Sequence, residues 1–191
     1  MPVTSEGSAC PIMREPMSLD EFFALDVVLA ELVDGQPVFL SSPAVRHQHL
    51  LFQIALALEA RRPSSLMILP APMDWVLWQV PRATVRQPDL LVVPADTVND
   101  QRITAPPRLV VEIISPDSQE RDLVAKRRDY SRAGCPTYWI AHPERHELVV
   151  LQLDGDEYRE TARLEGDGRL LLAEPFPVEL DGRRLFTQDV E

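Results

Sequence analysis

Glu112 stands inside the apolar run Leu109-Val110-Val111-Glu112-Ile113-Ile114. A carboxylate there is costly unless it is paired, hydrogen-bonded or bound to a metal. Asp89 follows Pro88 and opens a second apolar run, Leu90-Leu91-Val92-Val93. Lys126 is the one lysine of the chain, the other 18 of its 19 basic residues being arginine. An ammonium is a compact point charge with movable protons, whereas a guanidinium is a rigid fork, so a lone amine among arginines points to a task the fork does not serve. Asp122, Lys126 and Tyr130 follow at i, i+4 and i+8 and share one helix face. Each feature also has an ordinary explanation. A strand glutamate serves equally in a structural salt bridge, Pro-Asp marks a turn, and an Asp–Lys pair at this spacing decorates many solvated helices.

The flanking patterns supply the elements that would hold these groups. Ser18 and Glu21 form a capping box ahead of Phe22, Phe23 and Leu25. Residues 30–40 alternate about Asp34-Gly35, a hairpin signal. Val45, Leu50, Leu51, Ile54, Ala55 and Leu58 recur at helical spacing and predict a helix over about residues 44–61. Residues 66–69, 74–79 and the stretch 86–93 read as strands, followed by a polar, proline-rich loop over 94–107. Residues 109–114 read as a central strand buried on both faces. Asp117 and Glu120 cap a helix of about residues 119–133, closed by Gly134. Residues 137–141 form another core strand, 147–153 and 157–164 a hairpin, and 170–180 a last strand-like stretch. Residues 1–16 lack periodicity and read as a flexible tail. Residues 17–191 then make one α/β (α+β) domain, a mixed central sheet flanked by helices with extra β-hairpins.

With 191 residues, 45% hydrophobic and 26% charged, the chain suits a globular domain with a real core. No apolar run approaches the roughly 18–20 residues that span a bilayer. Residues 1–10 lack the basic and apolar regions of a signal peptide, so a cytoplasmic protein is expected. Cys10 and Cys135 are too few for a disulfide framework or a cysteine zinc site. A net charge of −11 argues against a protein that coats nucleic acid non-specifically. It leaves room for an enzyme that works through a metal and a few arginines.

Glu31-Leu32-Val33-Asp34-Gly35, Gln87-Pro88-Asp89-Leu90-Leu91-Val92-Val93 and Val111-Glu112-Ile113-Ile114-Ser115-Pro116 form an ordered set. It continues through Asp122, Lys126 and Tyr130 to Gly134-Cys135-Pro136-Thr137-Tyr138-Trp139-Ile140, over most of residues 30–153. This set resembles the PD-(D/E)xK nuclease superfamily and, more narrowly, the Uma2 family of restriction-endonuclease-like proteins. The resemblance implies a restriction-endonuclease-like fold and Mg2+- or Mn2+-dependent phosphodiester hydrolysis, with DNA as the expected substrate. It implies that Asp89 and Glu112 bind the metal, with the Ile113 carbonyl as a further oxygen, and that Lys126 assists the attacking water. One position departs from the superfamily pattern. The lysine two residues after the glutamate is absent, Ile114 stands there, and in Uma2-like sequences the amine has moved to the helix. Glu31 is either an additional acidic ligand or a hairpin-edge carboxylate in solvent. His49, Asp122 and Tyr130 are further candidate site residues. A homodimer would suit cleavage of both strands of a duplex. The competing reading is a catalytically silent fold relative acting in assembly or regulation.

Other polar groups carry weaker signals. His47 and His49 lie two apart on a helix and face different directions, with His49 the candidate contact for the Asp89/Glu112 site. His142-Pro143-Glu144-Arg145-His146 has neither the spacing nor the helix of a zinc motif. Trp75, Trp78 and Trp139 read as core or interface anchors. Arg121, Lys126, Arg127, Arg128 and Arg132 form either a phosphate-facing patch or a solvated helix flank.

Overall fold

The computed structural model describes residues 15–25, 27–98, 102–114 and 120–187. The tail to residue 14, Cys10 and the Asp117 cap lie outside the described residues, as do the side chains at 120–122. Helix α1 (Leu19–Phe23) opens with the expected capping box: Ser18 Oγ accepts from the Glu21 N–H at 3.2 Å, and the Ser18 N–H donates to Glu21 Oε2 at 2.8 Å. Strands β1 (Ala30–Val33) and β2 (Gln36–Phe39) pair around Asp34 and Gly35, both at positive φ, the turn that matches strand twist. Glycine is required at 35, because a Cβ there would stand 2.6 Å from Pro16 Cβ.

Helix α2 (Val45–Glu59) buries His47, Leu50, Leu51, Ile54 and Leu58. Val45 was expected on that face and is instead 81% exposed. At about 100° per residue it falls on the outer side of the helix with Phe52 and Leu56. Strands β3 (Leu66–Pro70), β4 (Trp75–Trp78), β5 (Thr84–Arg86) and β6 (Leu90–Pro94) follow. The stretch 86–93 is therefore two strands in two sheets, because Pro88 has no N–H to continue a ladder. Within the loop read over 94–107, Ile103 is fully buried and hydrogen-bonded beside β4. Strand β7 (Leu109–Ile113), helix α3 (Glu120–Arg132) and β8 (Thr137–His142) form a parallel crossover. Strands β9 (Glu147–Asp154) and β10 (Glu157–Glu165) make the expected hairpin. The last stretch is a second hairpin, β11 (Arg169–Leu172) with β12 (Val178–Asp181), followed by the short α4 (Gly182–Phe186). Among the described residues no helix is long and apolar enough to cross a membrane.

The main sheet runs β10-β9-β8-β7-β6-β3, and a second sheet runs β2-β1-β5-β4. Period-two alternation sorts the central strands. Leu90, Val92, Leu109, Val111 and Ile113 pack with Leu50, Ile54 and Leu58 of α2. Leu91, Val93 and Val110 pack with Tyr130 and Tyr138 on the side covered by α3. Both faces are covered, so both strands read as unbroken apolar runs. Glu112 is in phase with Val110 and so faces α3.

Candidate active site

Strand β6 runs antiparallel to β7 with Leu90 opposite Val111. One step further along that register, Asp89 comes beside Glu112. The two carboxylates sit at one end of the sheet, where β6 starts and β7 stops. Asp89 Oδ2 accepts the Ile113 N–H at 2.7 Å, which fixes its carboxylate against the end of β7.

Glu112 is 5% exposed and meets two side chains of α3. Lys126 Nζ lies 3.0 Å from its Oε2, and the Tyr130 hydroxyl donates to its Oε1 at 2.6 Å. The helix face read from the sequence thus aims two of its three residues at the strand carboxylate; Asp122 lies on the same helix, with its side chain outside the described residues. Burial raises the Glu112 carboxyl to about 7; the Lys126 ammonium opposes this, while the charges of Asp89 and Glu31 add to it. The Tyr130 hydroxyl is likewise pushed well up by burial, then by the facing carboxylates. Trp75 and Tyr138 hold the Tyr130 ring at centroid distances of 5.4 and 5.3 Å.

Glu31 belongs to the same cluster and is 1% exposed, so the hairpin-edge alternative does not hold. Its Oε2 accepts from Arg86 at 2.7 Å, its Oε1 accepts the Gln87 N–H at 3.1 Å, and Lys126 Nζ stands 3.7 Å away. Burial alone would raise its carboxyl, but Lys126 and Arg86 outweigh that and hold it below the ordinary value. Arg86 also reaches Asp129 Oδ2 at 2.6 Å. The pair Arg86 and Asp129 was not singled out in the sequence, although Asp129 precedes Tyr130 on α3 and Arg86 precedes Gln87-Pro88-Asp89.

The histidine at the site is His47, not His49. His47 Nε2 lies 3.1 Å from Asp89 Oδ1. His49 stands about 200° further around α2 and lines a separate hollow with Arg46 and His146. A signal for His47 existed: positions 47, 50, 51, 54 and 58 share the inward stripe of the helix. The basic patch of α3 is partly engaged within the fold. Arg127 donates to the Tyr158 carbonyl, and Arg132 lies 4.4 Å over the Trp78 ring. Trp75 and Trp139 are core residues, each 1% exposed or less, and Cys135 is buried with its thiol pushed up to about 12.

The cluster sets four carboxylates, Glu31, Asp89, Glu112 and Asp129, against Arg86, Lys126 and a histidine. Hard oxygen donors with surplus negative charge suit Mg2+ or Mn2+. Asp89 and Glu112 are the two that would hold a cation, since the Asp89 charge already adds to what raises the Glu112 carboxyl. Among the described residues no three His, Cys, Asp or Glu side chains form a ready-made metal-binding group. A cation here would complete its coordination with water, backbone or substrate oxygens.

The Uma2 family model, described as "Putative restriction endonuclease", matches residues 19–185. The fold is similar to a crystal structure from Anabaena variabilis described as "a putative nuclease belonging to DUF820", with a TM-score of 0.70 and 17% identity over 90% of this chain and 98% of that one. At that identity the likeness speaks to the fold, and it bears out the expected mixed architecture. A comparison with curated proteins found no match.

Proposed function

The chain belongs to the Uma2 family, and from that premise we propose that it is a metal-dependent nuclease. Asp89 and Glu112 hold Mg2+ or Mn2+, Lys126 assists the attacking water, and the substrate is DNA. The observation that carries this reading is the convergence of Asp89, Glu112 and the only lysine of the chain at one end of the sheet. The cation supplies Lewis-acid polarisation of a phosphate and acidification of a water. Lys126 brings an ammonium to Glu112, where its protons orient the water and its charge offsets the charge growing on the phosphate. Tyr130 fixes the other oxygen of Glu112, and His47 fixes Asp89. Asp122, one turn before Lys126, is the remaining candidate on that helix face. Cleavage of both strands of a duplex would use two copies, and sedimentation showing only monomer would remove that part.

The test is calorimetric titration of Mn2+ into the wild type and Glu112→Gln, followed by cleavage of plasmid and RNA substrates with Lys126→Ala as control. Binding that disappears in Glu112→Gln, with cleavage lost in both variants, is expected. Absence of Mn2+ binding to the wild type, with and without DNA, would refute the metal site. It would favour the second reading, a catalytically silent relative in assembly or regulation. One observation speaks for that reading: Lys126 is already held between Glu112 and Glu31. In that case Lys126→Ala changes stability and nothing else.

A further inference from the structure

Two adjoining hollows lie along α2 on the side away from Asp89. The first, about 220 Å³, is walled by Arg46, His49, His146 and Phe186. The second, about 450 Å³, is walled by His49, Gln53, Arg183, Arg184 and Thr187. His49 is the partition between them. Its Nε2 is buried and makes no hydrogen bond among the described residues. The chain holds 30 Asp and Glu residues, yet no carboxylate among the described residues lines either hollow. Arg46 is held at the rim by both oxygens of Glu144 at 2.8 Å. Arg183 stands 3.3 Å from Asp167 on the surface, and Arg184 makes no ion pair among the described residues. The His146 ring stacks on Phe186 with centroids 5.5 Å apart.

The groove and the carboxylate site adjoin the same two elements, α2 and the end of β8. Arg46 and His49 flank His47 on α2. Pro143 follows His142, the last residue of β8, and Ala141 of that strand pairs with Ile113. The start of α2 thus carries His47 toward Asp89 and Arg46 and His49 toward the groove.

We propose that the groove binds the sugar–phosphate backbone of the nucleic acid whose scissile phosphate lies at Asp89 and Glu112, an inference that rests on the nuclease reading above. Guanidinium forks at Arg46 and Arg184 match phosphate oxygens, and the unsatisfied His49 nitrogen gains a partner. Such contacts position a strand without reading its bases, so the groove discriminates little between sequences.

The test is fluorescence anisotropy of a labelled DNA duplex with the wild-type protein in Ca2+. Arg46→Ala and Arg184→Ala are each expected to weaken binding roughly three- to tenfold and to lower the salt slope by about one. Both side chains are exposed, so neither substitution threatens folding. Glu144→Ala frees Arg46 and is expected to leave affinity unchanged or tighten it, whereas a merely structural Arg46–Glu144 pair would make it weaken binding as Arg46→Ala does. Arg159→Ala, on β10, is the distant control. Binding that none of the groove variants changes would overturn the groove and leave the nuclease reading standing. Loss of Mn2+ binding and of cleavage in the wild type would overturn the nuclease reading, while a wild type that binds no duplex overturns the groove whatever the Mn2+ titration shows.

Discussion

Glu112→Gln replaces a buried carboxylate by an uncharged isostere that still meets Tyr130 and Lys126, so it isolates the cost of the charge. Burial first, then the charges of Asp89 and Glu31, raise this carboxyl from 4.5 to about 7 against the pull of Lys126. The folded protein therefore keeps a proton that the unfolded chain releases above about 4.5. That term favours folding at low pH and is lost as pH climbs through about 7. The gap is worth roughly 3 kcal/mol, or about 6–12 °C in Tm for a domain of this size. Lys126 retains Glu31 at 3.7 Å in the variant. Urea denaturation of both proteins in EDTA, from pH about 5 to about 8, measures the difference directly, because all other groups titrate in both. The wild type should lose most of the roughly 3 kcal/mol relative to the variant across that window. Parallel stability curves would refute the reasoning, for they would mean that Glu112 folds with no charge penalty.

Three further outcomes follow from the same contacts. Below pH about 7 a proton competes with metal at Glu112, so Mn2+ affinity should fall roughly tenfold per pH unit in calorimetry; an affinity flat with pH would remove Glu112 as a ligand. Arg86→Met strips the guanidinium shared by Glu31 and Asp129, leaving Glu31 with Lys126 at 3.7 Å and Asp129 with Arg128 at 3.4 Å. Its unfolding free energy by urea should drop by roughly 3–5 kcal/mol, and a loss under about 1 kcal/mol would show the pair to be dispensable. Tyr130→Phe keeps the ring stack on Trp75 but removes the 2.6 Å donor from Glu112. A cost of about 1–3 kcal/mol in the same assay is expected, and no change would mean that the hydroxyl satisfies nothing the site needs.

Much of the site was legible because its residues break local rules. A glutamate inside an aliphatic run, an aspartate opening a strand and a single lysine at i−4 from a tyrosine each contradict their surroundings, and those contradictions converge at one end of the sheet. Arg86 and Asp129 broke no rule. An arginine in a polar approach and an aspartate on a charged helix look ordinary until the two sheets come together around them. The sequence offered His49 as the contact for Asp89 whereas the structure brings His47 there; the two stand two positions apart, and only the inward stripe of α2 decides which one turns inward. The hairpin at 30–40 and the crossover helix were local patterns with local causes. The split of 86–93 between two sheets was not, since it depends on where Thr84–Arg86 finds a partner strand.

A helix-borne amine changes what the fold must hold rigid. An amine two residues after the glutamate would be aimed by the strand itself, and Ile114 leaves that position apolar. Lys126 instead reaches Glu112 from α3 through a four-carbon stem whose rotamer freedom is worth about 2 kcal/mol. Besides Glu112 and Glu31, which meet the ammonium itself, two residues within one turn of Lys126 fix the helix that carries it. Asp129 ties α3 to Arg86 of β5, and Arg86 in turn holds Glu31 of β1. Tyr130 ties the same turn to Glu112 and wedges between Trp75 and Tyr138. The buried charges that bind no candidate cation thus have a physical role of their own. They lock the helix in register with two sheets, which is what the proposed role of Lys126 requires.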